Sequence, residues 1–268
     1  MPTSTINGVQ LYWELSGSGE PVILVHGSWG DHHNWDLVAP ALAESFQVLT
    51  YDRRGHSASE RPSEQGSVLE DADDLAGLIE ELDLAPAHVA GNSFGAVIAL
   101  RAAARNPEVF RTMIVHEPPL FPVLAGTEFE PALAEVQRRI AGVVELLEAG
   151  EDEGAARLFA DTIAFGPDAW DEQLTQEMRD VFVSNAPTFL DETRDPESLQ
   201  IDLESLAGFD KPALLTDGTE SAPFFGPVVD MVADALPRSK RVTIDGADHL
   251  PHVSVPRAYV ELIDGFAR

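Results

Sequence analysis

Five residues constrain this chain more than any others: Gly91-Asn92-Ser93-Phe94-Gly95. They follow a short apolar run, 87–90 (AHVA), and open a stretch of small apolar residues, 95–104 (GAVIALRAAA). A turn from buried strand to helix in so few residues is tight. Side chains two positions before and two after its centre would collide, so glycine is required at both. The turn lifts the central side chain to the top of the sheet, and the helix N-terminus beneath it favours developing negative charge. A Gly-x-Ser-x-Gly pattern in that setting presents a nucleophilic serine, so Ser93 is the expected nucleophile.

The rest of the chain supplies a sheet for such a turn. Short, fully apolar runs recur at 21–25 (PVILV), 46–52 (FQVLTYD), 111–115 (RTMIV), 213–216 (ALLT) and 241–244 (RVTI). Runs of this length suit parallel strands buried on both faces. Amphipathic segments lie between them: in 68–82, Leu75, Leu78, Ile79 and Leu82 share one face while acids crowd the other. Strand-helix alternation predicts an α/β fold with a doubly wound sheet. Residues 120–204 break the rhythm. They carry helical patterns at 132–148 and 170–183 but no clear buried strand, between Pro118, Pro119 and Pro122 on one side and Gly208 and Pro212 on the other. We read them as a helical insertion at the carboxyl ends of the strands, where it caps the site. The expected organisation is a core over 1–119, a cap over 120–204 and the rest of the core over 205–268.

Composition narrows the function. With 17 basic against 46 acidic residues the formal charge is -29, which repels nucleic acid and anionic membrane surfaces. There is no cysteine, which removes disulfides, thiolate metal sites and a cysteine nucleophile. No apolar run is long enough to span a membrane, and the N-terminal residues lack the basic-then-apolar order of a secretory signal. A cytoplasmic protein, monomeric or homodimeric, is expected.

A serine nucleophile needs a base and oxyanion donors. His249, on the loop 245–252 after the last apolar run and before a helix near Pro256, is the expected base; His252 is its rival and is assigned a lining or structural role. The backbone N–H of Phe94 is one oxyanion donor, and that of Ser28, in His26-Gly27-Ser28-Trp29-Gly30 after the first apolar run, is the second. His26 is read as bonding within its loop and Trp29 as an apolar wall of the site. His32 and His33 are adjacent and lack partners at zinc spacing, so no metal is implied.

His26-Gly27, the Tyr51-Asp52-Arg53-Arg54-Gly55-His56-Ser57 loop, the Ser93 elbow and Asp245-Gly246-Ala247-Asp248-His249 together resemble the α/β-hydrolase superfamily. The resemblance covers 6–118 and 205–268, and 120–204 only as a generic helical cap. It implies an eight-stranded, mostly parallel sheet with the site at its carboxyl edge, no organic cofactor, and Asp52 and Arg54 tying down their loop. In most relatives the triad acid follows strand seven in a Gly-x-x-Asp segment. Aligned on Gly218, that position here holds Ser221. The fold also accepts an acid after strand six, where this chain reads His116-Glu117-Pro118-Pro119, similar to the zearalenone lactonases. Glu117 is the expected acid, with Pro118 biasing it to an extended conformation. Glu220, Asp217 and Asp248 are its rivals.

These parts predict hydrolysis of an apolar carboxylic ester or lactone through a Ser-His-Glu triad. Carbon–carbon bond hydrolysis is the alternative within enzymes, and a small-molecule receptor is the alternative outside them. A perhydrolase or cofactor-free oxygenase is a minor further reading. Seven aromatic rings lie between Phe121 and Phe189. Phe189 is a candidate to line the substrate pocket, while most of the others are expected to pack the insertion's own helices.

Overall fold

The computed structural model describes residues 2–268. Eight strands form one sheet in the order β1-β2-β4-β3-β5-β6-β7-β8. They are β1 (Thr3–Ile6), β2 (Val9–Gly17), β3 (Pro21–Val25), β4 (Gln47–Tyr51), β5 (Ala87–Asn92), β6 (Phe110–His116), β7 (Ala213–Gly218) and β8 (Ser239–Ile244). From β4 to β8 all neighbours pair parallel. β1 and β2 form an antiparallel hairpin that joins β4 antiparallel. Continuous apolar runs do not mark this hairpin, because β2 is buried only at Val9, Leu11 and Tyr12 and is exposed from Glu14 to Gly17. Its signal is Asn7-Gly8, both at positive φ (47° and 84°), the residue pair a tight two-residue hairpin turn requires.

Alternate side chains of each central strand feed opposite cores. Val22 and Leu24 enter one apolar cluster, with Ile263 and Tyr259; Ile23 and Val25 enter the other, with Leu75, Ile98 and Val229. Each fully buried aliphatic side chain contributes roughly 1.5–3 kcal/mol relative to exposure. The helices that supply the covers are α1 (Ala39–Leu42), α2 (Val68–Glu81), α3 (Phe94–Arg105), and, after the insertion, α8 (Phe225–Ala235), α9 (Pro251–Ser254) and α10 (Pro256–Ala267). α1 and α10 lie on the first face and α2, α3 and α8 on the second. Ser67 starts α2 with a capping box, accepting from Leu69 N–H while Glu70 accepts from the Ser67 N–H.

Between β6 and β7 the described residues carry no strand. They form α4 (Glu130–Glu148), α5 (Asp152–Phe159), a π-helical turn at Ala160–Ala164, α6 (Ala169–Glu172) and α7 (Gln176–Arg194). The pattern read as one helix over 170–183 is two: Thr175 is extended and caps a new helix, its Oγ1 accepting from Met178 N–H. α7 then continues through Pro187 to Arg194. This helical segment has its own apolar cluster, around Trp29, Val143, Trp170 and Phe182. No helix of the described residues is long and apolar enough to cross a membrane.

Candidate active site

At the end of β5 the chain turns at Ser93, with φ 55° and ψ -123°, a conformation a non-glycine residue adopts only where its surroundings impose it. Both flanking glycines are required, for different reasons. A Cβ at Gly91 would stand 2.3 Å from the Gly95 carbonyl oxygen, a clash within the turn. A Cβ at Gly95 would stand 2.2 Å from the Val25 carbonyl oxygen, so the second glycine is demanded by β3, the neighbouring strand.

The structure brings Ser93, His249 and Glu117 into one line. Ser93 Oγ lies 2.9 Å from His249 Nε2, and His249 Nδ1 lies 2.7 Å from Glu117 Oε2. A proton on Nδ1 directed at the carboxylate leaves Nε2 free to accept from the serine hydroxyl. Glu117 is fully buried. Burial by itself would raise its carboxyl, but the His249 hydrogen bond holds it below its ordinary value.

The backbone at Glu117 differs from the extended conformation expected before a proline: φ is +47°. Pro118 excludes the right-handed helical region for its predecessor, and the left-handed region is taken instead, at a cost of roughly 1–3 kcal/mol. What holds it there is visible. Glu117 N–H donates to Thr216 O at 3.1 Å, and Oε1 accepts from Gly218 N–H at 2.9 Å. The last residue of β7 therefore donates a hydrogen bond to this carboxylate. The rival acids are engaged elsewhere: Asp217 pairs with Arg241 at 2.6 and 2.8 Å, Asp248 accepts from Leu250 N–H at 2.8 Å, and Glu220 is exposed.

Several residues to which the sequence reading gave no part in the triad hold this line. Asn92 Nδ2 donates to the His249 carbonyl at 2.8 Å. His116 Nε2 lies 3.1 Å from the Asp248 carbonyl. The Phe225 ring stacks on the His249 imidazole, centroids 4.7 Å apart and planes 17° apart. Among the described residues neither Ser28 N–H nor Phe94 N–H donates to a protein acceptor, and Ser28 and Phe94 both border the cavity at Ser93.

Two cavities meet at Ser93 and His249. The larger, about 590 Å³, runs between α7 and the loop of Asp31 and Asp36, past His252. The smaller, about 50 Å³, lies inward and is walled by Phe121, Phe159, Phe189, Phe224 and Phe225. Phe189 thus borders the site. Trp29 does not, and its reading as an apolar wall is corrected: the indole is fully buried, packed behind Phe159 and Phe189 at centroid distances of 5.1 and 5.0 Å. Its φ of +67° turns the ring into the helical segment. No arginine or lysine lines either cavity.

The other histidines are packed or paired. His26 Nδ1 bonds to Gly27 O and its Nε2 accepts from Arg53 N–H. His32 bonds to Asp52 at 2.7 Å. Asp31, His32 and Asp52 bring ligand-type atoms within 4.8 Å of one another, but these atoms hydrogen-bond among themselves and to Ser57, Ala58 and His33. His252 packs against Trp35 with the rings tilted, centroids 4.6 Å apart. Burial pushes His26 and His252 down to about 3 and His116 to about 4, and it pushes His56 well below its ordinary 6.5. An imidazole whose folded value is depressed takes its proton more readily in the unfolded chain. Its contribution to stability is therefore present above pH 6.5 and is lost as pH falls toward the folded value. His32 is raised and acts with the opposite sign. Each neutral buried imidazole is expected to cost on the order of 1–2 kcal/mol of stability between pH 7 and pH 5. Urea midpoints at the two pH values check this; equal midpoints would contradict neutral burial.

The sequence profile of the alpha/beta hydrolase family matches residues 22–262. The chain is similar to the uncharacterized hydrolase YraK of Bacillus subtilis (strain 168), 40% identical over 132 residues that cover 48% of this chain and 49% of that protein. It is similar to the 2-hydroxymuconate semialdehyde hydrolase of Pseudomonas sp. (strain CF600), 34% identical over 144 residues, 49% of this chain and 50% of that protein. These matches span about half the length of each relative. Among solved structures, an alpha/beta hydrolase from Sphaerobacter thermophilus DSM 20745 aligns with a TM-score of 0.81 at 26% identity, covering 100% of both chains.

Proposed function

Because the chain belongs to the alpha/beta hydrolase family, we propose that it is a serine hydrolase that cleaves a neutral, largely apolar carboxylic ester or lactone. The observation that carries this reading is the Ser93–His249–Glu117 line, at 2.9 and 2.7 Å, placed where two cavities meet. His249 Nε2 takes the Ser93 proton as Oγ adds to the carbonyl carbon. The oxyanion is held by the N–H groups of Ser28 and Phe94, and Glu117 stabilises the imidazolium and keeps its Nδ1–H in place. His249 then gives the proton to the leaving alcohol. Water, activated by the same imidazole, releases the acyl group from Ser93.

The cavities support a substrate with one compact apolar substituent and one larger one. Six phenylalanines, Phe94 among them, wall the inner space beside Glu192 and Thr193, and Phe189 comes from α7. The helical segment 120–204 acts in this reading as the cap that excludes water from the carbonyl. Carbon–carbon cleavage is the second reading, since one relative is named for a muconate semialdehyde. An acidic substrate fits this chain poorly: the larger cavity carries Asp31, Asp36 and Glu177 and no cation, and the formal charge is -29.

The test is covalent labelling with turnover. A fluorophosphonate is expected to modify Ser93 alone, and a 4-nitrophenyl ester of a short acid to be hydrolysed for many equivalents per chain. Binding without turnover would favour a receptor instead, and a label on any other residue would displace Ser93 from its role.

A further inference from the structure

A trans peptide aims its C=O and its N–H in opposite directions. In the Gly27–Ser28 peptide the carbonyl is pinned twice: His26 Nδ1 lies 2.9 Å from Gly27 O, and Arg53 Nη1 donates to the same oxygen at 3.2 Å. Pinning the carbonyl sets the direction of the Ser28 N–H on the other edge of the peptide. This peptide borders the nucleophile, since a Cβ built on Gly27 would stand 3.0 Å from the Ser93 Cβ and 3.5 Å from its Oγ.

Arg53 is itself held from several sides. Its Nε and Nη2 pair with Asp71 of α2 at 3.2 and 3.1 Å, and Nη1 and Nη2 each lie 3.0 Å from Glu192 Oε1. Its guanidinium sits 4.7 Å from the centroid of the Phe94 ring. Glu192 comes from α7, and its other oxygen accepts from Ser28 Oγ at 2.5 Å. One carboxylate therefore holds both the Ser28 side chain and the guanidinium that holds the Ser28 peptide. Only a guanidinium has enough donors in a fixed fork to meet two carboxylates and a carbonyl together.

Stability does not call for this network. Arg53, Asp71 and Glu192 are all buried, and well-packed apolar residues in place of buried charges often fold as well or better. We infer that Arg53 and Glu192 are positioning residues for the oxyanion hole: they fix the Gly27–Ser28 peptide with its N–H toward the developing oxyanion, and they tie that donor to α7. The inference rests on the proposed reading of Ser28 and Phe94 as oxyanion donors.

Glu192→Gln and Arg53→Lys in the full chain test it. The readouts are kcat and KM for a 4-nitrophenyl ester and inhibition by a trifluoromethyl ketone. That ketone accepts the Ser93 oxygen at its carbonyl carbon; the hydroxyl proton passes to His249, leaving a tetrahedral oxyanion. We expect kcat to fall on the order of 10-fold in Glu192→Gln and 100-fold in Arg53→Lys, with KM within about twofold and the ketone Ki rising as kcat/KM falls. Circular dichroism checks the fold. Glu192→Gln is isosteric and leaves Arg53 paired with Asp71, so it decides the question even if Arg53→Lys does not fold. A folded Glu192→Gln with unchanged kcat and Ki, or with only a raised KM, overturns the inference. Such silence beside an active, Ser93-labelled wild type removes the inference alone; an inactive, unlabelled wild type removes the proposed function and takes the inference with it.

Discussion

Ser93→Ala is expected to reduce turnover by on the order of 10⁴-fold or more while leaving the protein folded. The size follows from what Oγ does in the proposed reaction: without it no acyl-enzyme forms, and only the oxyanion donors and binding remain to accelerate attack by water. The fold should survive because the substitution is neutral for the local strain. Ser93 sits at φ 55°, and alanine meets the same steric cost there as serine. The lost hydroxyl leaves no buried charge unpaired, since His249 keeps Glu117 as its Nδ1 partner. Single-turnover kinetics, the circular-dichroism spectrum and loss of phosphonate labelling check the variant together. A folded Ser93→Ala enzyme that keeps its turnover would show that the reaction runs through another group.

Glu117→Gln is expected to lose about 10³–10⁴-fold in kcat. The amide keeps the size of the side chain and can still accept from Gly218 N–H. It removes the counter-charge of the imidazolium, and by presenting an N–H it can turn His249 to the tautomer that does not accept from serine. The comparison is with Asp217→Asn and Glu220→Gln. Asp217 holds Arg241 at the edge of β8, a part-exposed pair of modest worth, so its loss should leave kcat within about threefold. Glu220 is exposed and should show still less. If Glu220→Gln proves the damaging change and Glu117→Gln is silent, the acid acts from the loop after β7.

The two residues also show how far local sequence reaches. Ser93 is legible because its requirements are local. The strand before it, the helix after it and the glycines two positions either side are consequences of one tight turn, and each leaves a residue type or a periodicity behind. Even there one constraint is long-range: Gly95 is excluded from carrying a side chain by the Val25 carbonyl on β3. His249 is legible by its place after the last apolar run.

Glu117 stands on different ground. In a chain with 46 acids, composition singles none out, and motif alignment leaves rivals after β7 and beside His249. Its contact with His249 joins residues 132 apart in sequence, and its backbone departs from the conformation that Pro118 is expected to favour. The sequence alone therefore determined the six parallel strands, the elbow and the order of nucleophile and base, because these follow from side-chain periodicity and turn sterics within a few residues. Only the tertiary structure decided which carboxylate faces the imidazole, that Trp29 turns away from the cavity while Phe189 borders it, and that Arg53 and Glu192 meet behind Ser28. Those outcomes depend on contacts between distant elements, and such contacts have no period and no spacing to read.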